Sequence, residues 1–163
     1  MAQTAKDIYI VGLRNAHAME VQARELMERQ SERTNDYPDV KMMLTKHLTE
    51  TKDQLARLER CLTACGEDSS SLKDKAQSLV ANVTALFHSA ADDEILKNTF
   101  TNNAFENFEI AAYKSLITLA EAAGCNGDTQ LLRLSLAEEQ KMADWVDANV
   151  EKVTTAYLRH ATL

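Results

Sequence analysis

Proline occurs once, at Pro38, and glycine only four times, so little in the chain can break or bend a helix. Runs of β-branched residues are scarce as well, and no segment reads as a strand. Cysteine occurs three times, at Cys61, Cys65 and Cys125, with no C-x-x-C pair. An odd count without that spacing gives no sign of a disulfide framework. Cys61 and Cys65 are four apart on one helical face, which is poor disulfide geometry, and they read as packing residues. The N-terminal IYIVGL is too short and too close to charged residues to be a signal core or a membrane span. Basic patches with interleaved aromatics are missing too, and the formal net charge is −7 with a pI of about 5.1. Nucleic acid and membrane are therefore not expected as partners, and a cytoplasmic location is.

What the chain does hold is Ala, Leu, Glu, Lys and Gln in abundance, the composition of an all-α protein. Its 163 residues suit one domain spanning 1–163. Hydrophobic periodicity predicts a helix from Ala5 to Glu32, ending at the turn signal TNDYPD. Pro38 opens a second helix that stops at Gly66, and EDSSS caps a shorter one from Leu72 to Phe87. A third long helix runs from Asp92 to AAGCNGD, and a fourth from Thr129 towards the C-terminus. Two antiparallel helical hairpins joined by a crossover containing a short helix form the plan of a ferritin-like four-helix bundle.

Each long helix sets an acid on or beside its apolar stripe. At about 100° per residue, Tyr9, Leu13, Ala16, Ala23 and Met27 share a face with Glu20. Met43, Leu44, Leu48, Leu55, Leu58, Cys61 and Leu62 share one with His47, and Glu50 and Gln54 lie on its margin. Glu109 falls within the stripe of Phe105, Ala112, Leu116 and Ala120, with Glu106 on its edge. Leu132, Leu136, Ala143, Val146 and Val150 surround Glu139, whereas Glu138 is turned aside. His17, Gln54 and Tyr113 border these positions as supporting or packing residues.

The acids also share a depth. Glu20 and Glu50 are equally far from the first turn near Asn35, and Glu109 and Glu139 nearly so from the second near Cys125. At ~1.5 Å per residue all four sit about 22 Å from their turns, in mid-bundle. An isolated buried carboxylate costs several kcal/mol, and gathered carboxylates repel one another. Lys46, Lys52, Lys114 and Lys141 project outward, so the layer needs protons or metal. A pair of divalent cations would cancel most of the charge. Oxygen-rich ligation with one imidazole suits iron or manganese better than structural zinc.

Taken together, AHAMEVQARELME, NDYPDV, KHLTETKDQLARLE, FENFEIAAY and AEEQKMADW resemble the YciE/YciF family of ferritin-like proteins, the YciE branch above all. The resemblance covers almost the whole chain. It implies a stress-associated bacterial protein with a rubrerythrin-type di-metal centre and a tendency to dimerise. By resemblance the metal carboxylates are Glu20, Glu50, Glu109 and Glu139, with Glu106 and Glu109 as the doubled acid of the third helix. Ferritin-like sites commonly carry Glu-x-x-His on the second and fourth helices. Here Asp53 and Met142 stand at those places, and His47 precedes its glutamate instead. The expected ligands are Glu20, His47, Glu50, Glu106, Glu109 and Glu139, holding two non-haem irons or manganese ions that meet dioxygen or peroxide. The competing expectation is a non-enzymatic bundle with structural or vestigial metal, acting through dimerisation or a protein partner.

Overall fold

The structure is a computed structural model, and it describes residues 2–67 and 93–162. Among the described residues four long helices follow in chain order: α1 (Ala5–Arg33), α2 (Pro38–Ala64), α3 (Glu94–Ala122) and α4 (Thr129–Ala161). A single 3-10 turn, Asn126–Asp128, leads into α4. The short crossover helix expected from Leu72 to Phe87 lies outside the described residues.

Local chemistry accounts for the helix ends. Thr4 and Asp7 cap α1 reciprocally: Thr4 Oγ1 accepts from the Asp7 amide at 3.2 Å, and Asp7 Oδ2 accepts from the Thr4 amide at 2.9 Å. Pro38 occupies the first position of α2, where its missing N–H costs nothing. Gly66 and Gly124 end α2 and α3 with φ of 90° and 74°, a backbone that favours glycine. Each lets the next residue bond back into the last turn. The Glu67 amide donates to the Leu62 carbonyl at 3.0 Å, and the Cys125 amide to the Ala120 carbonyl at 2.8 Å.

The helices form an antiparallel square in which α1 packs on α2 and α3, and α4 on α3 and α2. At the end holding the α1–α2 turn, Arg33 meets Glu94 at 3.2 Å and Lys152 meets Asp39 at 2.5 Å. At the other end the Tyr9 hydroxyl donates to Asp128 Oδ2 at 3.0 Å. Exposed ion pairs add little stability; they mark the register. Burial does most of the holding, with Tyr9, Leu13, Leu58, Leu62, Leu116 and Leu132 filling the core at the Tyr9 end. Helices α1 and α3 approach closely there, since a Cβ on Gly12 would come within 2.9 Å of Leu116 Cδ2.

Further along the same α1–α3 seam, Gln30 and Asn102 are both buried and exchange amide hydrogen bonds of 3.0 and 2.9 Å. Removing one partner leaves the other unpaired in a dry environment. Asn102→Ala is therefore expected to cost about 1–3 kcal/mol in urea unfolding followed by circular dichroism. The double change Gln30→Leu with Asn102→Leu is expected to cost less than the single one. A double variant weaker than the single would refute this reading of the pair.

Candidate metal centre

The middle of the bundle departs from the usual apolar core. Glu20 and Glu139 are fully buried, His47 and Glu109 almost so, and Glu106 is 4 % exposed. They come from all four helices, because 3.6-residue periodicity carries each onto the inner face of its helix. One ligand atom from each of His47, Glu106, Glu109 and Glu139 lies within 4.8 Å of the others, a group that could hold metal.

His47 is the hub. Its Nδ1 is 3.1 Å from Glu50 Oε2, while Nε2 stands 3.2 Å from Glu106 Oε2 and 3.3 Å from Glu139 Oε2. Neither of those last two oxygens receives a well-angled hydrogen bond from the ring, although both are within ion-pair range. Glu20 lies beside the group: its Oε1 accepts from the Tyr113 hydroxyl at 2.5 Å, and its Oε2 has no partner among the described residues. Glu109 Oε1 is likewise unpartnered. Glu50 sits at the margin, half-buried, with Lys46 Nζ at 3.1 Å from its Oε1.

A supporting layer continues on α2 and α4. The Gln54 side-chain amide donates to Glu139 Oε1, and to Glu138 Oε2 at 3.1 Å. Arg57 grips Glu138 with two bonds of 2.6 and 2.9 Å and reaches Ser135 Oγ at 3.2 Å. Gln54 thus links the inner acid Glu139 to a neutralised ion pair at the rim. Periodicity placed Gln54 on the margin and Glu138 aside; the structure buries Gln54 completely and half-buries Glu138. Arg57 had no sequence signal, since its pairing depends on how α2 faces α4. Of the other bordering residues, Tyr113 is bonded to Glu20, while His17 lies 3.3 Å from the exposed Glu59, apart from the acid layer. Met142 is buried where a Glu-x-x-His pattern would set a second imidazole.

Electrostatics follow from this crowding. Burial raises the pKa of Glu20 and Glu109 well above the ordinary carboxylate range, and the charge of Glu139 adds to it. Burial likewise lifts Glu106 to about 8, against the opposing pull of His47. For His47 burial favours the neutral ring, but the Glu106 and Glu139 carboxylates outweigh it and raise the imidazole to about 11. Glu50 moves the other way: desolvation is more than offset by His47 and Lys46, and its pKa falls.

A bundle of this plan, with a buried carboxylate layer and one imidazole at its centre, is a ferritin-like protein. The chain matches the family described as "Domain of unknown function (DUF892)" over residues 4–159 and belongs to it. Protein YciF of Escherichia coli K12 is 28% identical over 92% of this chain and 95% of its own length. A crystal structure of a protein from Xanthomonas campestris pv. campestris is 28% identical, covers 98% of this chain and 100% of its own, and superimposes with a TM-score of 0.82. The crystal structure of the E. coli stress protein YciF aligns with a TM-score of 0.75 over 94% of this chain and 99% of its own. That superposition pairs 19% identical residues and speaks for the fold alone. The YciE/YciF resemblance of the motifs is thereby borne out.

The raised pKa values have a consequence for stability with a definite sign. Groups that bind protons more tightly folded than unfolded make stability fall as pH rises. For Glu106 the loss runs between pH 4.5 and about 8, and for His47 between 6.5 and about 11. Protein stripped of metal by chelation should therefore melt at progressively lower temperature from pH 5 to pH 8.5 in a calorimetric series. Changing Glu106 to Gln should flatten the slope. A melting temperature that rose across that range would contradict the burial of these acids.

Proposed function

We propose that the chain binds a pair of iron or manganese ions in its acid layer and acts in oxidative stress, in the cytoplasm, as a small peroxide-reducing or oxidase protein. The observation that carries this reading is the set of buried oxygens of Glu20, Glu106, Glu109 and Glu139 that find no hydrogen-bond donor among the described residues, gathered around His47. Such atoms need a cation or a shared proton, and oxygen with a single nitrogen is the donor set of hard metals. That the E. coli relative is described as a stress protein supports the setting.

In this reading the buried carboxylates of Glu20, Glu106, Glu109 and Glu139 would hold the ions. His47 would supply nitrogen through Nε2, and Glu50, half-buried at the margin, a further oxygen. Bound metal would supply one-electron redox chemistry towards peroxide or dioxygen. The chain's own residues do the rest. Tyr113 holds one oxygen of Glu20 and leaves the other to the site. Gln54 orients Glu139, and the Arg57–Glu138 pair anchors Gln54.

A second reading is favoured by a different observation. Phe100 and Phe108 are 55% and 58% exposed, eight residues apart on one side of α3. A structural metal in a bundle that dimerises, or meets a partner, through such a face would need no redox change. Kinetics separate the two. Protein loaded anaerobically with Fe(II) is mixed with hydrogen peroxide and followed by stopped-flow absorbance. Rapid oxidation of the bound iron is expected, slowed roughly 10–100-fold or more in Glu109→Ala. Iron that binds but keeps its spectrum after peroxide would favour the structural reading instead.

A further inference from the structure

At the Tyr9 end of the bundle three other side chains converge. Cys65 Sγ, Cys125 Sγ and a carboxylate oxygen of Asp128 lie within 4.8 Å of one another, all of them half-buried. They come from two pieces of backbone: the end of α2, and the turn from Cys125 to Asp128, closed by an Asp128 amide to Cys125 carbonyl bond of 3.0 Å. Cys65 is the last residue of the α2 cap before Gly66. Cys125 follows Gly124, and its amide is tied to Ala120. Asp128 stands at the start of α4. The two glycine turns described above hold both cysteine backbones in place, so the approach of the thiols is built into how two helices end.

Asp128 is used in an unusual way. At a helix N-cap, an aspartate ordinarily accepts hydrogen bonds from the first-turn amides. Asp128 makes no such bond; its Oδ2 accepts from the buried Tyr9 hydroxyl at 3.0 Å, beside the two thiols. A hydrogen-bonded carboxylate next to a pair of sulfurs is how metal ligands are commonly oriented.

We propose that Cys65, Cys125 and Asp128 form a second cation site, for zinc or another thiophilic divalent ion. It is distinct in chemistry and place from the acid layer. Two sulfurs and one oxygen suit a borderline-soft ion, whereas the oxygens and imidazole in mid-bundle suit harder ones. The fifteen residues from Glu50 to Cys65 put it about 22 Å away along α2. Three protein ligands on a half-buried surface leave a fourth position for water. The ion ties the end of the first hairpin to the turn of the second, a cross-link between segments far apart in sequence.

Cobalt(II) is the probe, because thiolate ligation gives it a near-ultraviolet charge-transfer band that carboxylates and imidazole do not. Reduced, demetallated full-length protein is titrated anaerobically with Co(II). The band is expected to grow to saturation in the wild type and in Glu109→Ala, and to bleach when Zn(II) is added. Cys65→Ser and Cys125→Ser are each expected to lose it while keeping a native circular dichroism spectrum. Zn(II) should raise the melting temperature of the wild type but not of the serine variants. A wild type without the band, or a band that survives in both serine variants, would overturn the assignment. So would protein whose Cys65 and Cys125 join as a disulfide in air and, once reduced, give a flat titration.

Discussion

Everything distinctive about this bundle follows from the cost of holding carboxylates out of water beside one another. A helix packs an apolar stripe inward because that removes hydrocarbon from water. Here four helices each insert acid, or imidazole with acid, into the stripe at one level. Desolvation and mutual repulsion act together on Glu20, Glu106 and Glu109, and both push towards uptake of positive charge. The chain supplies some of it through His47, which touches three carboxylates. A single imidazolium cannot balance so many acids, and Lys46 pairs with Glu50 at the margin rather than with the buried carboxylates. The remaining charge calls for protons or metal.

The rest of the fold keeps that layer from relaxing. Apolar packing at the Tyr9 end and the Gln30–Asn102 pair along the α1–α3 seam fix the helix register on either side of it. Tyr113, Gln54 and Arg57 then limit how the acids can turn. A carboxylate free to swing would reach water and lose its raised pKa. Held by a tyrosine or an amide, it stays where a cation can meet it. With Met142 buried on α4 and one histidine on α2, any cation held here would meet mostly oxygen donors.

Much of this could be read from the sequence because it depends on one helix at a time. The stripes of Glu20, His47, Glu109 and Glu139 follow from 3.6-residue periodicity, and their common depth from counting residues to Asn35 and Cys125. Pro38, Gly66 and Gly124 marked the ends of α2 and α3 by their backbone chemistry. What stayed hidden depends on two helices at once. Whether Gln54 is buried, whether Arg57 reaches Glu138, and whether the Tyr113 hydroxyl meets Glu20 depend on how each helix is rotated against its neighbour. Cys65 and Cys125 come together only because the first hairpin ends at the level where the second one turns. No local pattern records that, so the cysteines read as packing residues.

Cations that occupy the acid layer should remain with the protein through purification. Protein purified without chelators or a metal-binding tag is measured by plasma mass spectrometry, beside a Glu109→Ala and Glu139→Ala double variant. A pair of iron or manganese ions per chain in the wild type, lost in the variant, is the expected result. Protein that carries neither metal, and takes up neither Fe(II) nor Mn(II) when they are added, would contradict it and leave shared protons to balance the layer.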